Sequence, residues 1–265
     1  MKATKSTSKF HQKHLPLSLI VLWYMAVSFF LLSSTSFAQL SNGRVEIGNT
    51  QASAASRATG KIVSLWPNGR TTHGSGVLVS PRHVLTAAHN IYWPAFGGHA
   101  KLVIFGPAEH GSISPFGVSF STSMVTPKGW RQNASVGGSY DIGMIRLRHP
   151  LGTKAGWMDL TPWSSDPNFL VYLNGYDGDV FNGRHQITRT GRVLSINDWP
   201  WINSRYTSRW FAPPGVSGGP VWYFQSGRPK VIGVTTNKSN LGNSNGIKNL
   251  PEFDALFKAW MRTYP

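Results

Sequence analysis

Ser75-Gly76-Val77-Leu78-Val79-Ser80-Pro81-Arg82-His83-Val84-Leu85-Thr86-Ala87-Ala88-His89 reads as two strands joined by a turn and ending in small residues and a histidine. The aliphatic side chains come in short runs, and Ser80-Pro81-Arg82 supplies the residue types of a tight turn. Ala87 and Ala88 allow close backbone packing and leave His89 where the apolar pattern stops, so that its ring can face a cleft as a general base. Taken alone, a histidine so placed is more often structural. Of the nine histidines, however, His73, His83, His99, His110, His149 and His185 lack such a small-residue setting, and His11 and His14 fall in an N-terminal leader.

The same rhythm extends in both directions. Short apolar runs bounded by Gly, Pro, Asn and Ser predict strands at 61–66, 76–79, 101–105 and 142–147, then at 169–173, 191–196, 220–224 and 231–235. Many short strands with tight turns point to an all-β barrel or sandwich, and 265 residues suffice for two lobes. Helical spacing is confined to 251–261, where Phe253, Leu256, Phe257 and Trp260 share one face, predicting a closing amphipathic helix.

Two further motifs carry chemistry. In Gly215-Val216-Ser217-Gly218-Gly219-Pro220 a single serine lies among glycines, which permit close approach of a substrate and unusual dihedrals. The N–H groups of Gly215 and Ser217 can then converge on one oxygen as an oxyanion hole, an arrangement that fits acyl transfer. In Asp141-Ile142-Gly143-Met144-Ile145-Arg146-Leu147 a carboxylate opens a strand after Gly137-Gly138-Ser139-Tyr140. Buried there it needs a partner, and a histidine N–H is one; an Asp capping a turn is an equally good reading of that segment by itself.

Taken together, Thr86-Ala87-Ala88-His89, Asp141-Ile142-Gly143-Met144 and Gly215-Val216-Ser217-Gly218-Gly219-Pro220 resemble the chymotrypsin-like serine peptidases over roughly 58–236. With Ala58-Thr59-Gly60-Lys61 before the first strand and no cysteine, the chain looks most similar to their bacterial trypsin-like and glutamyl-endopeptidase branch. The resemblance implies two six-stranded antiparallel β-barrels with the active site between them, His89 and Asp141 from the first barrel and Ser217 from the second. It further implies a His-Asp-Ser triad acting through an acyl-enzyme. Two departures stand out. Many relatives carry Asp before the nucleophile, pairing with a freed amino terminus, whereas Val216 stands here, so that activation switch is expected to be absent. The positions that receive a glutamate side chain in the glutamyl branch look like Ala212 and Thr235, so Glu specificity is not expected. Phe211, Ala212 and Thr235 are expected to line a small or apolar specificity pocket.

The leader sets the compartment. Lys2, Lys5, Lys9 and Lys13 precede an apolar run from Leu15 to Leu32 and the small residues Ser36 and Ala38, the order of an export signal cut after Ala38. An uncleaved membrane anchor is the alternative, and in both cases the remainder faces outward, secreted or periplasmic. The polar stretch 39–57 reads as a linker or short pro-segment, leaving 58–265 as the peptidase domain. With no Cys, stability must come from packing, and thiolate chemistry is excluded. The formal charge of +16 is spread over isolated Lys and Arg, which fits adhesion to anionic cell-surface polymers better than specific nucleic-acid binding. Tyr176-Asp177-Gly178-Asp179 reads as a turn before it reads as a calcium loop, and neither a metal nor a cofactor is expected. The expected partner is a protein or peptide substrate, met by a monomer. The competing expectation is a catalytically inactive relative serving as a binding or adhesion module.

Overall fold

The computed structural model describes residues 44–135, 138–163, 170–199, 203–208, 213–238 and 244–265. The export signal expected at 1–38 lies outside the described residues. Along the chain come β1 (Val45–Glu46), a short helix at Ala54–Ala58, β2 (Thr59–Leu65), β3 (Thr71–Leu78), β4 (His83–Thr86), β5 (Tyr92–Trp93), β6 (Gly98–His99), β7 (Leu102–Pro107), β8 (Ser119–Val125) and β9 (Gly143–Leu147). They are followed by β10 (Asp159–Leu160), β11 (Leu170–Tyr176), β12 (Gln186–Trp199), β13 (Asn203–Ser208), β14 (Pro220–Gln225), β15 (Arg228–Lys238), β16 (Ser244–Lys248) and a helix at Pro251–Thr263.

The first lobe is a closed antiparallel barrel in the order β2-β3-β4-β9-β8-β7. The hairpin read from sequence forms as expected, with Gly76 opposite Thr86, Val77 opposite Leu85 and Leu78 opposite Val84. Every residue of β4 and the last five of β3 are buried, which explains why this pair shows a continuous apolar run instead of an alternation. β2 has one more open face and alternates accordingly, with Ile62 and Ser64 buried and Leu65 exposed.

The second lobe follows the path β12-β11-β14-β15-β16-β13, and pairing of β13 back onto the long β12 closes that ring too. β1 adds to it antiparallel beside β12, and β10 runs parallel beside β15. Two six-stranded barrels are thus present, as the all-β reading anticipated. Strands β8, β13 and β16 have no counterpart in that reading, because Ser119–Val125, Asn203–Ser208 and Ser244–Lys248 are rich in Ser, Thr and Asn and hide the alternation.

The C-terminal helix starts with Pro251 in its first turn, where a missing N–H costs nothing, and carries Glu252 and Asp254 at its positive end. Phe253 and Phe257 are buried and Trp260 packs partly against the same core. Leu256, expected on that face, is 36% exposed, since the face in contact is narrower than the apolar stripe. The helix docks on the first lobe: Trp260 meets the ring of His83 edge-on at 5.5 Å, and Arg146 donates to the terminal carbonyls of Tyr264 and Pro265.

From Arg44 onward the stretch expected to be a linker or short pro-segment packs against the body: Arg44, Ile47, Thr50, Ala55 and Ser56 are buried. Polar contacts do what large apolar side chains were not available to do. Ser53 and Ser56 form a reciprocal helix cap, Thr50 Oγ1 donates to the Ala108 carbonyl, and the Arg44 guanidinium reaches Asp177 Oδ2 at 3.0 Å. Among the described residues no helix is long and apolar enough to cross a membrane.

Candidate active site

β4 ends at Thr86, and the chain turns through a single 3-10 turn, Ala88–Asn90, that carries His89 to the edge of the first barrel. Ala87 and Ala88 are wholly buried there, as their small size allows. Asp141, just before β9, is wholly buried as well. It holds His89 at two points: Oδ1 accepts the His89 backbone N–H at 2.9 Å and Oδ2 lies 2.8 Å from Nδ1. An ionised carboxylate can only accept, so Nδ1 carries the hydrogen and Nε2 is left with its lone pair. The two contacts fix both the position and the tautomer of the ring, whose side chain keeps 16% of its surface exposed.

The serine loop approaches from the second barrel. Gly215 has φ 94° and Gly218 φ 85°, conformations that a Cβ penalises, and a Cβ at Gly218 would run into the Ser75 carbonyl and Thr86 Oγ1. Within the loop the N–H groups of Val216, Gly218 and Gly219 donate to Pro213, Thr235 and Val216 carbonyls. Those of Gly215 and Ser217 donate to no group among the described residues, which is compatible with their serving as oxyanion donors. Val216 is buried among Val171, Leu173, Val221 and Ile232, an apolar setting that suits Val and gives a carboxylate at this position no partner within the cluster.

The two lobes are tied together at this loop by groups the sequence reading missed. Ser75 donates its N–H to the Ser217 carbonyl at 2.8 Å and its hydroxyl to the Gly215 carbonyl at 2.7 Å, while accepting the Tyr176 N–H at 2.9 Å. Asn90 Nδ2 donates to the same Ser217 carbonyl at 2.9 Å. Their partners lie far along the chain, so no local pattern marks them.

His89 and Ser217 both line an open cleft of about 350 Å³, together with Thr72, Asn90, Trp93, Phe96 and Gly215. A second groove of about 430 Å³ continues past Gly215 along Lys61, Gly74, Tyr176, Gly178 and Gly183. His73 lines both, and burial, then the charge of Lys61, hold its imidazole below the usual histidine range. The Ser217 hydroxyl donates to the Thr236 carbonyl at 2.8 Å and is not bonded to His89. The expected serine-to-histidine bond is therefore not made in this rotamer; it needs rotation of the serine side chain toward Nε2.

Of the expected specificity residues, Phe211 and Ala212 lie outside the described residues. Thr235 is buried under the serine loop, its backbone bonded to Gly218 and Gly219 and its Oγ1 without a partner among the described residues. The Tyr176-Asp177-Gly178-Asp179 segment is a turn: Asp177 Oδ1 accepts the Asp179 N–H, and Oδ2 is engaged by Arg44 and Arg189. Two guanidiniums on that carboxylate leave it unsuited to a cation. Desolvation in turn lowers Arg189 to about 10, against the opposing pull of Asp177.

The model of the trypsin-like peptidase domain matches residues 74–234, a span running from just before Ser75 to just before Thr235. The chain belongs to the trypsin-like peptidase family. Within it, this peptidase-family chain is 30% identical over 178 residues to a glutamyl endopeptidase of Bacillus licheniformis, covering 64% of the chain and 53% of the relative. It is 34% identical over 199 residues to a protein of Bacillus subtilis named an extracellular metalloprotease, covering 73% of the chain and 60% of the relative. The chain thus spans somewhat over half the length of these curated relatives. Among solved structures, a Glu endopeptidase in complex with MPD superposes with a TM-score of 0.70 at 18% identity, over 83% of this chain and 96% of that one. The protease Anisep from Arthrobacter nicotinovorans does so with 0.64 at 20% identity, over 76% and 94%. These structural likenesses bear on the two-barrel fold.

Proposed function

We propose that this trypsin-like family member is an exported serine endopeptidase. The observation that carries the reading is the doubly held His89 lining one cleft with Ser217 and Gly215, the N–H groups of Gly215 and Ser217 donating to no group among the described residues. Rotation of the serine side chain brings Oγ to Nε2. As Oγ attacks the substrate carbonyl, His89 takes its proton, Asp141 stabilises the imidazolium, and the N–H groups of Gly215 and Ser217 receive the oxyanion. Collapse of the tetrahedral intermediate passes the proton from His89 to the departing amine and leaves an acyl-Ser217, which water then hydrolyses by the same route in reverse.

A reactive phosphonate probe tests this directly: peptide mapping places the label on Ser217, and Ser217→Ala takes none. Labelling of another residue, or none on folded protein, refutes the proposal. The serine hydroxyl's present bond to Thr236 favours a second reading, an inactive relative acting as a binding module, and casein hydrolysis abolished by His89→Ala excludes it.

For specificity we propose a small or apolar residue before the cleaved bond, in a pocket reaching Phe211, Ala212 and Thr235, because Ala212 and Thr235 carry no charge to receive a glutamate. Cleavage of a mixed peptide library reads this out; a dominant Glu preference contradicts it. The name of the Bacillus subtilis relative, an extracellular metalloprotease, together with the basic and apolar leader, supports export with cleavage after Ala38, so that the N-terminal residue of the exported protein is Gln39.

A further inference from the structure

We propose that Glu46, His110 and His185 form a binding site for a divalent transition-metal ion of the zinc type, apart from the cleft. The three come from distant parts of the chain: Glu46 from β1, His110 from the turn after β7, and His185 from the residue before β12. One ligand atom from each lies within 4.8 Å of the others. His185 Nδ1 is 2.6 Å from Glu46 Oε1, and the rings of His110 and His185 pack tilted at 4.2 Å and 31°. Phe181 stacks on His185 at 4.3 Å and restricts that ring.

His110 Nδ1 is buried with no hydrogen-bond partner among the described residues. Leaving such a group unsatisfied is costly, and a metal ion at this point supplies the missing partner. Two imidazole nitrogens and one carboxylate oxygen form a ligand set that zinc takes with water in the fourth position. Calcium and magnesium, which prefer all-oxygen shells, match it poorly. Ligand atoms around one tetrahedral zinc stand about 3.3 Å apart given bond lengths of about 2.0 to 2.1 Å. The partly exposed side chains therefore need shifts on the order of an ångström. No local spacing links the three ligands, so the cluster is invisible until the chain is folded.

Such an ion would join the N-terminal strand, a first-lobe turn and the 177–185 segment. Gly178 and Gly183 of that segment line the groove beside the serine, and the Gly178 N–H bonds to the Pro214 carbonyl. In a chain without cysteine the ion takes the place of a covalent staple.

The test uses the full chain carrying Ser217→Ala, which prevents self-digestion, stripped with a chelator and titrated with zinc chloride. One ion binds per chain and raises the melting temperature, with calcium giving no rise. Binding weakens at least about 100-fold in His110→Ala and in His185→Ala. Cobalt in place of zinc gives the intense visible bands of four-coordinate metal without any change to the ligands. Absence of one-to-one binding, binding unchanged in the two histidine variants or lost instead in His73→Ala, or absence of the cobalt bands overturns the proposal.

Discussion

Asp141 has no exposed surface and meets His89 through two separate contacts, so it acts on position and tautomer together. Asp141→Asn is nearly the same shape, yet its amide can present N–H to Nδ1 and stabilise the wrong tautomer. The expected loss in kcat is about 10⁴-fold, measured on a chromogenic peptide under saturating substrate. Ser75 works at the same scale with a different currency. Its hydroxyl satisfies both the Gly215 carbonyl and the Tyr176 N–H, so Ser75→Ala leaves two groups unpaired and costs about 1 to 3 kcal/mol in denaturant unfolding. Phosphonate labelling of Ser217 should slow as well, because the loop proposed to carry the oxyanion donors loses its anchor.

Among the elements, the β3–β4 hairpin and the C-terminal helix were legible because their apolar residues obey one period each. β8, β13 and β16 were not, because their Ser, Thr and Asn residues interrupt the apolar alternation by which a strand is read. In the site the motif residues were visible as unusual local composition, whereas Ser75, Asn90 and the Arg44–Asp177–Arg189 cluster take their meaning from partners on other elements. The C-terminal helix supplies a pH test. His83 sits with one ring nitrogen on Ser80 Oγ and the other on the Tyr264 carbonyl, and burial, then Arg146 and Arg82, hold it below the usual histidine range against the raising effect of that carbonyl. Its folded pKa is depressed, so the stability it lends is present above the unfolded value of about 6.5 and is lost as pH falls through the folded value. The protection factors of the amides along Pro251–Thr263, exchange rates corrected for their intrinsic pH dependence, should fall on acidification below pH 6.5, and less so in His83→Gln. Phe257→Ala, in the same helix and wholly buried, should cost about 3 to 5 kcal/mol by thermal unfolding.

At the scale of the whole molecule the charge is the dominant surface property. With 26 basic and 10 acidic residues, retention on an anionic polymer matrix should be strong at low salt and fall steeply as ionic strength rises. Retention should not depend on the sequence of a nucleic acid offered as competitor. A site recognising one DNA sequence would give a different order of elution.

The carbonyl of Ser217 is gripped by Ser75 and Asn90, both contributed by the opposite lobe. If Ser217 attacks as proposed, a half-folded molecule has an attacker with nothing to steady it. An exported chain crossing the membrane with only its leading portion shaped would then be harmless to its own export machinery, and danger would begin once the trailing lobe closes on the first.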